Sequence, residues 1–405
     1  MSRRPLNDNT PHAEGQVPPP MQAGYWSAVR RRFFKKRLPA LGLMIVVLFL
    51  LIAVFAPFLA GNRPLLFNGG DGLKMPVFIA FTVEDFLWIG GFGVVAITWL
   101  IGVILRKRRL KKGANPQVSR EQWILASILT LTVLVIGIIW PERLDRSDYA
   151  PFRDGVQEAP LCIMPLIPYS PAEFDNYRRL EGPGSEHLLG TDGLGRDLLA
   201  RIIHGTRISI LVGFVAVSIY VLIGMILGAL AGYFGGWTDL LISRLIEIVI
   251  CFPVFFAILA VFCFLPPSIF WIMILIGLLR WPGVARLTRG EFLKLKNEAF
   301  VSAGRALGLS HFRIIFLHML PNGLAPVLVS ATFGIAGAIL LESGLSFLNF
   351  GADLSWGALL ASGKSYMSQS WGITVFPGLA IFLAVTSFNL VGEGLRDALD
   401  PRLKT

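Results

Sequence analysis

The chain has 405 residues, of which 54% are hydrophobic and only 16% charged, with a mean hydropathy of +0.64. Soluble domains carry about 25% charged residues, so an ordinary soluble protein is excluded. The formal net charge of +11 would suit a nucleic-acid partner, but the basic residues stand in short runs beside apolar segments, which is the topology signal of a membrane protein. No nucleic-acid partner is expected.

Residues 1–37 read as a polar, basic tail, disordered around Pro18, Pro19 and Pro20, with no signal-peptide h-region and cleavage site. A span needs about 20 apolar residues, and eight stretches qualify: 39–60, 86–105, 122–140, 208–232, 245–265, 268–288, 323–342 and 373–393. The expected fold is therefore all-α and polytopic, with about eight transmembrane helices. Its parts are the tail 1–37, a first span in 38–60, an extra region 61–140 with two spans, an exterior loop 141–207, a core 208–398 containing a cytoplasmic loop 289–322, and a tail 399–405.

Arg30, Arg31, Arg32, Lys35, Lys36 and Arg37 precede the first span, and Arg106 to Lys112 follow the second. Arg289, Lys294, Lys296, Arg305 and Arg313 mark a third basic run. All three agree with one topology, in which both termini are cytoplasmic.

Several residues inside or beside the spans invite interpretation. Gly224, Gly228 and Gly232 form a ladder of small residues at every fourth position, which lets helix backbones approach closely; packing within one bundle is expected. Cys251 and Cys263 fall on one expected helix about 18 Å apart, too far to bond, and Cys162 stands alone. Arg244, Glu247, Arg280, Glu342 and Glu393 are placed near span ends, where long side chains snorkel to the interface, with Arg244 and Glu247 forming a local pair. Pro266-Pro267 should make a tight hairpin.

The cytoplasmic stretch Asn297 to Asn322 differs from the spans. Phe300, Ala303, Gly304 and Leu307 recur on one face of a short helix. Gly308 stands where a C-terminal glycine belongs. Ser310 can cap a second helix carrying Phe312, Ile315, Phe316 and Met319, which Pro321 should end. Polar residues at Glu298, Ser302, Arg305, His311, Arg313 and His318 exclude both helices from the bilayer. A short helix with a smooth Ala-Gly patch at the membrane edge is suited to docking into a partner.

Catalytic patterns are missing. Gly357 to Ser365 resembles a phosphate-binding loop, but five residues rather than four separate its glycines and no strand precedes it. The histidines at 12, 187, 204, 311 and 318 have no ligand spacing, so no metal and no cofactor are expected in this chain. The run His187 to Asp197 reads as a tightly turned exterior loop.

Three motifs together resemble the permease subunits of bacterial ATP-binding-cassette importers for peptides and nickel, in the "C" branch of the oligopeptide and dipeptide systems. That family's cytoplasmic pattern, E-A-A-x3-G-x9-I-x-L-P, falls on Ser302-Ala303-Gly304, Gly308, His318 and Leu320-Pro321, with the Glu, the second Ala and the Ile replaced. The run His187 to Asp197 and the closing stretch from Pro377 to Arg402 are also similar to family segments. The resemblance covers 186–403 well, the first span more loosely and the hairpin 86–140 not at all.

It implies a type I importer permease core of six spans in the bacterial inner membrane; the inserted hairpin lies outside the resemblance, and filler packed on the lipid face of the bundle is the expected reading of it. It also implies three kinds of partner protein: a second homologous permease, two cytoplasmic ATPases that bind ATP and Mg, and an extracytoplasmic binding protein delivering the cargo. Glu298, Ser302, Ala303, Gly304, Gly308, Leu320 and Pro321 would then form the ATPase-docking loop. Nickel or another small solute is the alternative cargo, and a non-transport scaffold or sensor the alternative class.

Overall fold

The computed structural model describes residues 25–69, 72–79, 81–82, 84–86, 88–94, 97–98, 101–102, 129–130, 132, 149–154, 156 and 160–400. The expected span 122–140 lies largely outside the described residues, and 86–105 is described only in part, at 86, 88–94, 97–98 and 101–102.

Helix α1 (Tyr25–Lys35) leads into α2 (Arg37–Leu59), an apolar helix with Pro57 inside it. Proline has no N–H to donate to the carbonyl four residues earlier. That carbonyl, on Ala53, is satisfied instead by the Arg207 guanidinium, whose Nε donates at 2.6 Å while Nη2 donates to the Val54 carbonyl at 3.3 Å. Nη1 of the same arginine pairs with Asp85. All three charged or polar partners are buried at this joint, so the start of the extra region 61–140 is tied into the bundle.

Beyond α2 the chain makes a small antiparallel sheet, β1 (Leu66–Asn68) between β2 (Leu73–Lys74) and β3 (Leu161–Ile163), with short helices α3 (Pro76–Ile79) and α4 (Ala150–Arg153) beside it. The all-α expectation is amended to that extent: residues 161–168 are too short and proline-broken to span, and their first part adds to a sheet edge.

The long helix α5 (Leu198–Phe234) is capped by Asp197, whose carboxylate accepts from the Ala200 N–H at 2.7 Å, and ends at Gly235, where φ is 69°. Its 37 residues extend about 55 Å, well beyond a hydrocarbon core of about 30 Å. α6 (Gly236–Ile250) and α7 (Val254–Phe262) follow, bent by 72° to each other. Pro253 breaks the expected single span here, so Cys251 and Cys263 close two different helices rather than sharing one. Both are free thiols.

After the Pro266-Pro267 hairpin, α8 (Ile269–Leu295) packs against α5. The glycine ladder lies in this contact. A Cβ on Gly224 would stand 2.8 Å from the Trp281 carbonyl, and one on Gly232 2.8 Å from the Arg289 carbonyl.

Next come α9 (Ala299–Ala306), a single turn α10 (His311–Arg313), the π-turn Ile314–Met319 and α11 (Leu320–Phe347). α12 (Trp356–Lys364) and α13 (Gly372–Leu399) complete the bundle. Among the described residues five helices are long and apolar enough to cross a membrane, or six when the bent α6–α7 pair counts as one span. These six coincide with the expected spans other than 86–105 and 122–140.

Candidate docking site

The segment 298–321 forms a compact unit at one end of α5 and α8. Glu298 is extended (φ −72°, ψ 149°) and precedes α9 without a side-chain cap bond. The helix closes in a Schellman turn: Gly308 N–H donates to the Arg305 carbonyl at 3.0 Å and Leu309 N–H to the Gly304 carbonyl at 3.1 Å. Gly308 has φ 72°, a conformation that strains any residue with a Cβ. Ser310 Oγ then accepts from the Arg313 N–H at 3.4 Å, starting the second helix.

That second helix does not end at Pro321. The π-turn interrupts the i→i−4 hydrogen-bond ladder just before the proline, which therefore needs no donor and sits in the first turn of α11. His311 to Phe347 is thus one 37-residue stretch running from the docking unit into the bundle.

The packing also divides the face that periodicity suggested. Val301 and Gly304 turn inward, and a Cβ on Gly304 would lie 3.5 Å from Leu309 Cδ1. Phe300, Ala303 and Leu307 point outward, Leu307 with 80% exposure. Ser302 is exposed beside them, Leu320 is half-buried and Pro321 exposed. Gly304 therefore serves the unit's own core with Ile314, Ile315, Met319 and Phe292, while the outward patch is apolar and uncovered.

Two side chains missed in the sequence tie this unit to the end of α5. Tyr233 Oη and His311 Nδ1 share a hydrogen bond of 2.7 Å, and the Arg305 guanidinium lies 5.2 Å from the Tyr233 ring centroid. Residues 78 positions apart carry no local signal of their contact. Tyr233→Phe removes the hydrogen bond and keeps the ring. The expected cost is about 1 kcal/mol of local stability, read as faster hydrogen exchange in 299–316 with unchanged exchange in α13.

At the opposite end of α5 a second polar joint is built on Asp192, which is 1% exposed. Its Oδ1 accepts from the N–H groups of Leu194 (2.8 Å) and Arg196 (3.0 Å), and its Oδ2 from Arg196 Nε (2.7 Å) and Arg201 Nη1 (2.5 Å). Arg201 Nη2 also donates to the Asp353 carbonyl at 3.0 Å, linking α5 to the turn before α12. Gly195 adopts φ 74° where a Cβ would collide with the Asp175 carbonyl, so the turned reading of His187 to Asp197 has a specific backbone cause. His187 is paired after all, with Asp197 at 2.8 Å, ten positions away.

Among the charges placed near span ends, Arg244, Glu247 and Glu393 are exposed, and Arg244 pairs with Glu247 at 2.6 Å. Glu342 does not snorkel. It is fully buried, and its carboxylate accepts from Ser346 (2.6 Å), Ser209 (3.3 Å) and Ser343 (3.4 Å). The glycines of 357–363 lie within helix α12, capped by Ser355, and not in a strand–loop–helix phosphate cradle. Among the described residues no group of three or more His, Cys, Asp or Glu could hold a metal ion.

The described helices form a bundle with a compact, capped unit carrying an uncovered apolar patch at one end. Residues 224–405 match the family described as binding-protein-dependent transport system inner membrane component, and 24–68 match the N-terminal TM domain of oligopeptide transport permease C. The dipeptide transport system permease protein DppC of Alkalihalophilus pseudofirmus is 42% identical over 295 residues, covering 72% of this chain and 90% of that protein. The oligopeptide transport system permease protein OppC of Haemophilus influenzae is 45% identical over 303 residues (74% and 90%). The glutathione transport system permease protein GsiD of Pectobacterium atrosepticum is 40% identical over 244 residues (59% and 81%). The chain belongs to this family of inner-membrane permeases, and within it to the permeases of peptide-type ABC importers. It is a multi-pass membrane subunit working in a complex with others.

Proposed function

We propose that this chain forms half of the translocation path of an ATP-driven importer for peptides, paired with a second homologous permease. Two cytoplasmic ATPases drive it, and an extracytoplasmic binding protein delivers the cargo. The relatives named for dipeptide and oligopeptide transport support peptide cargo. The relative named for glutathione marks the range of small solutes that one such scaffold serves.

The observation that carries the coupling role is the uncovered patch of Phe300, Ala303 and Leu307 on a short, rigidly capped helix. A helix of this kind enters a groove on an ATPase. Ser302, Ala303 and Glu298 lie on or beside its outward face, whereas Gly304, Gly308, Leu320 and Pro321 hold the unit's shape and its continuity with α11. ATPase closure then moves α11 and, through Tyr233 and His311, the end of α5.

Charge and packing together support one sidedness. α1, the end of α13 and the start of α11 share one small core at the same end as the docking unit, and Lys36 Nζ donates to Asp397 Oδ2 at 2.6 Å there. The basic runs 30–37 and 289–313 therefore cluster on one face, which we assign to the cytoplasm along with both termini.

Gly308→Trp tests the docking role. A Cβ at Gly308 meets nothing within 4 Å, so the cost inside this chain is the left-handed backbone alone, roughly 1–2 kcal/mol. The variant should reach the membrane at near-normal amounts and lose both peptide uptake and peptide-stimulated ATP hydrolysis, while Gly308→Ala, with the same backbone cost, keeps most of both. Normal uptake by the tryptophan variant refutes the assignment. Recovery of ATPases and a second permease on the tagged chain in mild detergent distinguishes the transporter from a scaffold.

A further inference from the structure

Arg280 is not at a span end. It lies eleven residues after the first and fifteen before the last residue of α8, about 17 and 22 Å from the helix ends. In a hydrocarbon core of about 30 Å that is close to mid-depth. Its guanidinium is half-buried: Cζ is 5.9 Å from the centroid of the Tyr220 ring on α5. The other side of the group rests on α11 at Gly337, where a Cβ would stand 2.8 Å from Nη1 and 3.1 Å from Nη2. The absent side chain makes the space that the guanidinium occupies.

The two buried arginines of α5 are matched, Arg201 by Asp192 and Arg207 by Asp85 and two α2 carbonyls. Arg280 has no ion pair or hydrogen bond with any described residue, and its guanidinium stands near the Tyr220 ring. A guanidinium cannot shed its charge. At mid-depth it is costly against lipid, and such groups face the bundle interior or a water-filled cavity. Here Arg280 of α8 stands between α5, at Tyr220, and α11, at Gly337.

We propose that Arg280 lines the water-filled path between the two permeases and is a binding point for a carboxylate of the passing solute. The guanidinium fork matches a carboxylate in a bidentate manner. Every linear peptide with a free C-terminus carries one. The proposal rests on the peptide reading above and deepens it. The lack of a fixed counter-charge among the described residues suits a transient site, because a permanent carboxylate beside Arg280 would compete with the cargo.

The test uses the assembled complex in two arms. In the first, Arg280→Cys is made with Cys162, Cys251 and Cys263 replaced by alanine, and treated with a membrane-impermeant, anionic thiosulfonate. Labelling that saturating peptide slows is expected; no labelling overturns the proposal. In the second, uptake of a neutral tripeptide with a free C-terminus, delivered by the cognate binding protein, is compared in Arg280→Gln and Arg280→Lys. The glutamine variant should lose about tenfold in maximal uptake rate, the worth of one charge-assisted contact, and the lysine variant should keep most of it. Wild-type rates in the glutamine variant, or an equal fall in both, overturn the proposal. Loss of the second permease from the purified glutamine variant also overturns it, since Arg280 would then be an interface residue. A wild-type complex that takes up no peptide sinks the peptide reading and the carboxylate assignment together. Uptake that is normal in wild type and indifferent to Arg280→Gln sinks the inference alone.

Discussion

Asp192→Asn is expected to destabilise the protein by about 3–5 kcal/mol, the usual cost of leaving a buried charge without its partner. The amide oxygen still accepts from the N–H groups of Leu194 and Arg196, so the turn itself survives. What is lost is the anion facing Arg201, which is 2% exposed. Because Arg201 also holds the Asp353 carbonyl, the effect should spread to the turn before α12. Thermal aggregation of the detergent-solubilised protein, followed by size exclusion, measures it. The double variant Asp192→Asn/Arg201→Met, which removes both charges, should recover a large part of the loss. If the single and double variants melt alike, the ion pair contributes little.

The same group predicts a pH dependence. Burial pushes the Asp192 carboxyl up, and the Arg196 N–H, the Arg201 charge, the Leu194 N–H and the Arg196 charge more than reverse it, leaving the group below its ordinary range. A carboxyl whose folded pKa is depressed adds stability that is fully present above the unfolded value of about 3.9. That stability is lost as pH falls through the lower folded value. Proteolytic nicking of 187–197 should therefore be flat from neutral pH to about 5 and should rise below about 4. In Asp192→Asn this acid step should be much smaller.

The second large effect is at the glycine ladder. Gly228→Ala puts a Cβ against the Ala285 carbonyl and 2.8 Å from Thr288 Cβ. The carbonyl belongs to a helix backbone and cannot swing aside, so α5 and α8 must separate. Overpacking of this kind costs about 1–3 kcal/mol, and Gly228→Leu should exceed that and abolish assembly. Gly283→Ala, on α8 itself, is the control, since a Cβ there meets nothing within 4 Å. It should be neutral or stabilising by up to about 1 kcal/mol through helix propensity. Equal losses in Gly228→Ala and Gly283→Ala would show that helix packing is not what Gly228 supplies.

How much was readable in advance depended on the range of the interaction. The six described spans, the Schellman glycine at 308 and the cap at Ser310 are set by neighbours within a turn or two, and their signals are local. Of the Phe300, Ala303, Gly304, Leu307 face only Gly304 turns inward, because Val301 beside it gives this eight-residue helix a second apolar face. The break at Pro253 was obscured by uninterrupted hydrophobicity, which measures partition into lipid and says nothing of helix direction. Pro321 resembles a helix stop in the sequence because the π-turn that accommodates it has no residue signature.

By itself, the amino-acid sequence determined the membrane class, the apolar segments that became the described spans, the polar loop between two of them and the family likeness, since hydropathy, turn chemistry and motif spacing are all written locally. Only the tertiary structure decided which charges are matched. Arg207 meets Asp85 and the carbonyl that Pro57 orphans, Arg201 meets Asp192, and Glu342 is enclosed by serines from two helices. Arg280 is left at mid-depth beside Tyr220 and Gly337. A buried charge finds its partner across the bundle, at separations no periodicity records, and burial itself is a property of the packed helices rather than of any one of them.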